Sequence, residues 1–296
     1  MTGLPSLFHD ARQRIDRALD LSTSGEFDGP PRVREAMRYT LLAPSKRVRG
    51  ILTLVACDIC GGPSPAAGPN RDALPAAVAI EMVHASSLIL DDLPSMDDAP
   101  LRRGRPSCHV QYGEAVAVLA AFGLLSDAYG VVAGAYDGAL SRDLGVLLSS
   151  AIGSDGLIAG QAEDLLATDS AIGFETLERI HRRKTGALFS AAAIAGAAVA
   201  GASEARVRAL EAYAKNVGLA FQIVDDLLDV TGDPSETGKA ARADARKTTF
   251  VSFSGVDGAR ELAADLCRTA DAALRPFGAK AAPLLELSAF VAGRRL

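Results

Sequence analysis

The segment from residue 81 to residue 105, EMVHASSLILDDLPSMDDAPLRRGR, constrains the fold of this chain more than any other. It begins as an apolar helix, presents four aspartates within eight residues and closes with three arginines. The aspartates are Asp91, Asp92, Asp97 and Asp98. Such carboxylates repel one another unless a cation joins them, and Mg²⁺ takes oxygen ligands while leaving positions for phosphate oxygens. The segment therefore predicts a helix that ends at a cation site.

Pro94 decides whether these aspartates share one site. Proline has no backbone N–H and its ring clashes with the carbonyl four residues earlier, so the helix is expected to kink or end near Leu90. On an unbroken helix of about 3.6 residues per turn, Asp91 and Asp97 would point about 120° apart. The break allows both carboxylates to face one cavity.

Composition favours packed helices over sheet. Apolar residues make up 49% of the 296, Ala and Gly are abundant, and there is no Trp, which is a poor composition for a β-sandwich. Apolar residues recur at helical spacing, and neither strand-period stretches nor Gly-rich phosphate loops occur. We predict an all-α single domain, residues 1–296, of about ten or more helices around a central cavity. The predicted helices span residues 5–21, 31–42, 45–61, a stretch ending near 90, 112–136, 140–150, 156–166, 174–202, 204–230 and two within 257–296.

The net charge and the apolar segments of the chain predict which partners it binds and where it is located. The net charge is −5, so no basic field invites nucleic acid. Residues 1–16 lack the apolar core of a signal peptide, and the four cysteines do not form a disulfide framework. The Ala- and Gly-rich run at 186–202 is too short and weakly apolar to span a membrane, and we expect it buried in the bundle. We predict a cytoplasmic protein without stable membrane insertion, with residues 112–136 as a central helix enclosed on all sides.

A second acidic cluster, FQIVDDLLD, ends the helix at 204–230. Asp225 and Asp229 are four residues apart, so they share one helix face, and like charges at that spacing call for cations. Basic residues follow or precede both clusters: Lys46, Arg49, Arg102, Arg103, Lys184, Lys239 and Lys247. The arrangement indicates Mg²⁺ held by carboxylates and phosphate oxygens, with Lys and Arg covering the remaining phosphate charge.

These motifs together resemble the trans-isoprenyl diphosphate synthase family, and in particular bacterial geranylgeranyl diphosphate synthases of the carotenoid-pathway type. The resemblance runs from Pro44 to Thr249 and implies the isoprenoid synthase fold in a single polyprenyl synthase domain. It rests on APSKRVR, HASSLILDDLPSMDDAPLRRGRPSCHVQYGE, GQAEDL, RRKTGALFSAA, AFQIVDDLLD and TGKAARADARKTT, which occur in family order. The chain departs from the family pattern at Gly50, where the family has Pro, and at Arg246, where it has Gly.

The resemblance assigns roles residue by residue. The implied Mg²⁺ ligands are Asp91, Asp92, Asp97, Asp225 and Asp229. The implied contacts to the allylic diphosphate are Arg102, Lys184, Thr185, Gln222, Lys239 and Lys247. Those to isopentenyl diphosphate are Lys46, Arg49, His84 and Arg103. Catalysis is expected to centre on Asp91, Asp92, Asp97, Lys184 and Asp225, because pyrophosphate leaves only if its developing charge is neutralised.

Some residues keep two interpretations. His84 is either a diphosphate-binding residue, which the motif favours, or a core histidine bonded to a neighbour. Gln161 and Asp164 are either helix-packing polar residues or an outer shell that orients the metal site or Lys184. Product length depends on Ser86 and Ser87, where shorter-chain relatives usually carry a large aromatic residue. Their small size predicts a C20 product, unless residues on the facing helix, such as Phe122, form the floor.

The predicted activity is condensation of isopentenyl diphosphate with dimethylallyl, geranyl or farnesyl diphosphate to give geranylgeranyl diphosphate, in a homodimer. The alternatives are a farnesyl or other chain-length synthase and a non-catalytic subunit that regulates a partner synthase. Such subunits typically lose one acidic motif. A terpene cyclase is a further rival, but cyclases lack the second DDxxD motif and the cations for isopentenyl diphosphate.

Overall fold

The computed structural model describes residues 4–25, 28–62, 72–231 and 248–293. Nearly all of them form helices, which confirms the predicted all-α class. The α-helices are α1 (His9–Ser22), α2 (Pro31–Leu41), α3 (Val48–Ile59), α4 (Leu74–Asp91), α5 (Cys108–Tyr112), α6 (Glu114–Ala135), α7 (Gly138–Ile152), α8 (Leu157–Leu166), α9 (Phe174–His181), α10 (Ala187–Val199), α11 (Glu204–Thr231), α12 (Phe250–Ala273) and α13 (Ala282–Ala292). Short 3₁₀ turns lie at Ser6–Phe8 and Arg275–Ala281, and a π-helical turn lies at Arg182–Gly186.

The interior is built where α10 packs on α3 and α11, and where α4 packs on α3 and α6. Alanines and glycines allow this close packing. A Cβ added to Gly196 of α10 would lie 2.1 Å from the carbonyl oxygen of Thr53 on α3, so only glycine permits the observed approach. The expectation that the Ala-rich run is buried is confirmed, because most residues of α10 are buried.

The first acidic motif begins at the end of α4. The helix ends at Asp91, one residue beyond the predicted Leu90, and Asp92 is its C-cap. The chain then turns back, because the backbone N–H of Asp97 donates to the carbonyl oxygen of Asp91 at 3.0 Å. The break predicted from Pro94 therefore does bring Asp97 beside Asp91.

A two-stranded hairpin follows, which the sequence did not predict. Strands β1 (Leu101–Arg102) and β2 (Arg105–Pro106) pair antiparallel. The two turn residues, Arg103 and Gly104, have φ values of 56° and 73°, as in the type I′ turn that matches strand twist. The hairpin holds the three arginines of the motif close to the end of α4.

The predicted helix at 174–202 is interrupted. It consists of α9, the π-helical turn and α10, and the π-helical turn contains Lys184 and Thr185. π-helical turns insert one extra residue per turn and often mark functional sites. A second hydrophobic cluster joins α9, α11 and α12 next to this turn, with Leu177, Ile223, Leu227, Phe250 and Ala263 among its buried members.

Helix α6 is not enclosed on all sides, so that prediction was wrong. It is apolar along its length, yet only 33% of its most apolar window is buried. Leu119 and Phe122 are 55% and 62% exposed. Among the described residues, α4 and α6 are long and apolar enough to span a membrane by composition, but α4 is 61% buried inside the protein. The exposed face of α6 therefore requires another explanation.

Candidate active site

The first acidic motif lies against Lys and Arg side chains. Asp92 is 2% exposed, and the Arg102 guanidinium donates to both of its carboxylate oxygens, with Nε 3.0 Å from Oδ1 and 3.1 Å from Oδ2. Asp91 is half-buried and Asp97 is exposed. Burial raises the pKa of the Asp91 carboxyl; Lys184 opposes this shift and Asp97 adds to it. Asp91 and Asp97 are thus close enough to repel one another.

A basic pocket lies one to two turns earlier along α4. Arg49 Nη1 lies 3.4 Å from His84 Nε2, and the Arg49 guanidinium stacks on the Phe189 ring, 4.6 Å from its centroid. Burial lowers the pKa of Arg49 to about 10, opposed by Glu81 and Asp225. The Nε of Arg49 is buried with no hydrogen-bond partner among the described residues. A buried donor without an acceptor is the feature expected where an anion binds.

His84 is a neutral member of this pocket. Burial lowers its pKa well below 6.5, and Arg49, then Arg103 and Arg102, lower it further. Burial also lowers the pKa of Arg103 to about 10, and the nearby charge of Arg47 adds to the shift. Several cations crowded into one buried region are a favourable environment for an anion such as diphosphate.

Arg47 supports this pocket without belonging to it. It is the N-cap of α3, with a φ of 53° that is strained for a non-glycine residue. Its guanidinium contacts Glu81 Oε2 at 3.4 Å and Asp16 Oδ1 at 2.8 Å. Glu81 Oε1 also accepts from the N–H of Gly50 at 2.9 Å. The proline usual in the family at position 50 has no N–H to give, so Gly50 suits this contact.

Lys46 is held from the C-terminal side of the protein. Its Nζ lies 5.2 Å from the centroid of the Phe290 ring on α13, a cation–π distance. The sequence did not single out Phe290, because it is 244 positions from Lys46 and α13 has no charged motif. The contact joins the basic segment before α3 to the last described helix.

Helix α8 positions Lys184 on the π-helical turn. Lys184 Nζ lies 2.7 Å from Asp164 Oδ2, which decides between the two interpretations of Asp164 in favour of orienting Lys184. A Cβ added to Gly160 would lie 2.2 Å from the backbone nitrogen of Lys184, so α8 touches the backbone of the turn directly. Gln161 Nε2 reaches Met96 Sδ, at 3.7 Å, beside the first acidic motif.

The second acidic motif divides into two faces. Asp225 and Asp229 are half-buried, whereas Asp226 is 4% exposed. Asp225 is close enough to Arg49 to oppose the lowering of its pKa by burial. One turn earlier, Gln222 Oε1 accepts from the hydroxyl of Thr185 at 3.1 Å. The second motif therefore adjoins both the basic pocket and the π-helical turn.

The two motifs face a common region. Asp91 interacts electrostatically with Lys184, and Asp225 interacts with Arg49, which contacts His84 on the helix of Asp91. Within the described part of the chain, no three His, Cys, Asp or Glu side chains are close enough to hold a metal ion between them.

Two predicted lysines and the chain-length residues complete the comparison with the sequence. Lys239 and Lys247 lie outside the described residues.

The predicted chain-length residues lie at the contact of α4 with α6. Ser86 is 4% exposed and donates to the carbonyl oxygen of Ala121 on α6 at 2.8 Å, so it lies between the two helices. Ser87 is half-buried and lies four residues before Asp91, on the same helix face. Phe122 points to the outer surface of this chain, so the suggestion that it forms a floor inside the chain was wrong.

Comparison with known proteins decides the family. Residues 30–265 match the family model for polyprenyl synthetase, which is most of the chain. The chain belongs to the polyprenyl synthetase family. This confirms the resemblance drawn from the motifs and the predicted enzyme class, a trans-prenyltransferase.

Individual relatives of this polyprenyl synthetase differ in the product that their names give. A chloroplastic geranylgeranyl pyrophosphate synthase of Capsicum annuum is 44% identical over 272 residues, which cover 90% of this chain and 72% of that enzyme. A chloroplastic geranylfarnesyl diphosphate synthase of Leucosceptrum canum is also 44% identical, over 95% of this chain and 77% of that enzyme. A geranyltransferase crystal structure from Helicobacter pylori, complexed with magnesium and isoprenyl diphosphate, is 30% identical with a TM-score of 0.83, covering 99% of this chain and 96% of that one.

The same comparisons correct the predicted location of the polyprenyl synthetase. A cytoplasmic location was predicted, but both plant relatives are described as chloroplastic, so that prediction is wrong.

The sequence did not single out three residues that lie around the site, namely Glu81, Phe189 and Asp226. For Glu81 a signal existed, because it is a charged residue within the apolar helix before the first motif.

Proposed function

We propose that this polyprenyl synthetase condenses isopentenyl diphosphate with an allylic diphosphate to form geranylgeranyl diphosphate. The observation that carries the proposal is the grouping of both acidic motifs with half-buried cations. Asp91 lies near Lys184, and Asp225 lies near Arg49. A region with carboxylates on two helices and cations between them suits two diphosphates bridged by metal ions.

The proposed reaction needs no side-chain nucleophile. The C1–O bond of the allylic diphosphate breaks, and its electron pair leaves with pyrophosphate. The double bond of isopentenyl diphosphate then forms the new C–C bond to C1, and loss of a proton restores an alkene. Arg102 and Lys184, with Lys239 and Lys247, would bind the leaving diphosphate, because fixed cations stabilise charge that develops there.

The metal ligands in this proposal are Asp91, Asp92, Asp97, Asp225 and Asp229. Mg²⁺ bound there would act as a Lewis acid that neutralises the diphosphate charge. Asp92 requires a change in the pairing observed here, since Arg102 donates to both of its oxygens. A loaded site would share that guanidinium between Asp92 and the diphosphate.

The basic pocket is proposed to bind isopentenyl diphosphate. Arg49, His84 and Arg103 lie close together, and the unpaired Nε of Arg49 supports an anion as the missing partner; Lys46 is included because the family resemblance assigns it the same role. Neutral His84 would act as a hydrogen-bond donor rather than as a cation, since its pKa lies well below 6.5. In this proposal the arginine and lysine side chains bind the negative charge of the diphosphate, and His84 orients the diphosphate through a hydrogen bond.

The C20 product rests on the small residues before Asp91. Ser86 already fills the contact with α6, so Ser87 is the position at which a large side chain would meet the growing tail. We expect Ser87→Phe to shift the main product from C20 to C15 or shorter. Mass spectrometry of the products would measure this, and Ser141→Phe, on α7, serves as a matched control outside the site. An unchanged C20 product from Ser87→Phe would contradict this assignment.

The same proposal includes a homodimer of single-domain chains. Leu119 and Phe122, three residues apart on α6, and Val146 of α7 are more than half exposed, and exposed apolar surface favours association. A second copy of the chain is the proposed occupant of this face. The carotenoid-pathway assignment made from the sequence stays a prediction.

Product analysis with purified chain tests the function directly. The chain would be given dimethylallyl, geranyl or farnesyl diphosphate, each with isopentenyl diphosphate and Mg²⁺, and we expect geranylgeranyl diphosphate from all three and no turnover after chelation. Nothing longer than C15 would indicate a farnesyl synthase, and a C25 product a longer-chain enzyme. Hydrocarbon from geranylgeranyl diphosphate alone would indicate a cyclase. No turnover by the isolated chain would indicate a regulatory subunit.

A further inference from the structure

Asp226 is the member of the second acidic motif that the proposed mechanism does not use. Successive residues of an α-helix point about 100° apart, so Asp226 cannot share the face of its neighbour Asp225. The structure agrees, because Asp226 is 4% exposed while Asp225 is half-buried. A buried carboxylate is costly unless it is hydrogen-bonded, so its partners show what it does.

Both carboxylate oxygens of Asp226 accept hydrogen bonds from other parts of the site. Oδ2 accepts from the backbone N–H of Phe250 at 3.1 Å, and Oδ1 accepts from Nε2 of Gln222 at 3.0 Å. Phe250 is the first residue of α12, where backbone N–H groups have no partner within the helix and negative charge is stabilising. Asp226 therefore joins α11 to the beginning of α12.

The contact with Gln222 has a fixed direction. Both carboxylate oxygens of Asp226 act as acceptors, so Gln222 must turn its NH₂ group towards Asp226. Its carbonyl oxygen then faces Thr185, whose hydroxyl donates to it at 3.1 Å. With the opposite amide orientation, the Gln222 carbonyl would face the carboxylate. The hydrogen bond from Gln222 to Asp226 thus decides which way the Gln222 amide faces and, with it, where the hydroxyl proton of Thr185 points.

We infer that Asp226 is a positioning residue: it orients the Gln222 amide and, through it, the Thr185 hydroxyl on the π-helical turn beside Lys184. This inference rests on the proposed function, in which Thr185 and Gln222 contact the allylic diphosphate. It separates the second motif into Asp225 and Asp229, proposed for the metal, and Asp226, which serves the substrate contacts.

Asp226→Asn tests the inference because it keeps the size of the side chain but makes one of its two acceptors a donor. Its NH₂ group must then oppose either the Phe250 N–H or the Gln222 amide. A misplaced substrate contact can cost a hundredfold in rate, so we expect kcat to fall by about tenfold to a hundredfold. The Mg²⁺ concentration for half-maximal rate should stay within about twofold of wild type, whereas Asp225→Asn should raise it by about tenfold or more.

A double-mutant cycle with Thr185→Val supplies a readout that a merely structural role would not move. If Asp226 acts through Thr185, the double variant should lose little more kcat than the more impaired single variant. Additive losses would overturn the inference. It would also be overturned if Asp226→Asn raised the Mg²⁺ requirement as much as Asp225→Asn, which would make Asp226 a metal ligand.

Control variants separate positioning from stability. Asp271→Asn removes the negative charge from the acceptor of the Ser288 hydroxyl between α12 and α13 and so weakens this hydrogen bond; it should lower the melting temperature and leave kcat unchanged. If Asp226→Asn does not fold, Asp226→Glu carries the test, since it keeps two acceptor oxygens but displaces them by one methylene; kcat should fall while the Mg²⁺ requirement stays within about twofold of wild type, and unchanged kcat would overturn the inference. Failure of the wild-type chain to form product would refute the proposed function, whereas an active wild type with an equally active Asp226→Asn variant would refute this inference alone.

Discussion

Glu81 is a charged side chain within an apolar helix, and its environment explains why it is tolerated. It is 1% exposed, contacts Arg47, and accepts from the N–H of Gly50 at the start of α3. Removing one partner of a buried ion pair leaves an uncompensated charge, which costs several kcal/mol. The start of α3, which carries Arg49, therefore depends on a residue that itself contacts no proposed substrate.

We expect Glu81→Gln to lower the free energy of unfolding by about 3 kcal/mol and to raise the KM for isopentenyl diphosphate. Chemical denaturation and steady-state kinetics would measure the two effects. Glu211→Gln is the matched control: it breaks an exposed pair with Lys215, and such pairs contribute at most about 1 kcal/mol. Equal stability of the two variants would show that the Glu81 pair is not structural.

His84 makes stability depend on pH in a defined direction. Its pKa in the folded protein lies well below 6.5, because of burial and then Arg49. Between that pKa and about 6.5 the unfolded chain binds the additional proton, so the contribution of neutral His84 is full above about pH 6.5 and is lost as the pH falls towards the folded pKa.

The melting temperature of wild type should therefore fall between pH 7.5 and pH 5.5, and that of His84→Gln should fall less. The difference corresponds to at most about 1.4 kcal/mol per pH unit below 6.5. Thermal denaturation of both proteins at several pH values measures it. Parallel curves for the two proteins would mean that the pKa of His84 is the same in the folded and the unfolded chain.

At the scale of helices, the packing of α8 against the π-helical turn fixes the position of Lys184. The backbone of α8 at Gly160 touches the backbone at Lys184, and Asp164 of α8 pairs with the Lys184 ammonium. The π-helical turn is thus held from the α8 side and, through Thr185 and Gln222, from the α11 side. Small shifts of α8 should move Lys184.

Gly160→Ala should disturb this contact, since the new Cβ would lie 2.2 Å from a backbone nitrogen that cannot move independently. We expect a loss of about 1–3 kcal/mol in stability, as for other overpacked sites, and a lower kcat. Gly145→Ala, in α7, has nothing within 4 Å of the added Cβ and should be neutral or slightly stabilising. Wild-type kinetics in Gly160→Ala would show that the turn tolerates the displacement.

The helix positions were largely predictable, and their interruptions were not. Apolar spacing located α4 and α11, and Pro94 located the end of α4 to within one residue, because these depend on local chemistry. The π-helical turn within 182–186 carries no local signal, since its residues fit an ordinary helix as well. It is held by contacts with α8 and α11, which are far away in sequence.

The whole molecule presents an apolar face on α6 that one chain does not cover. If a second copy covers it, Phe122→Glu should convert a dimer into a monomer, because a buried charge without a partner opposes association. Sedimentation velocity would measure this, with Leu21→Glu, an equally exposed apolar position on α1, as the control. A monomeric wild type that floats with lipid vesicles would show instead that a membrane covers this face.

The sequence by itself determined the helical class, the two acidic motifs and the break that returns Asp97 to Asp91, because each follows from the period of a helix and the geometry of proline. Only the tertiary structure decided which charges meet. Lys184 pairs with Asp164, Arg47 with Glu81, and Asp226 turns away from Asp225 into a hydrogen bond with the first residue of α12. Charge pairing and burial depend on neighbours brought together by packing, and the spacing of residues along one chain does not contain that information.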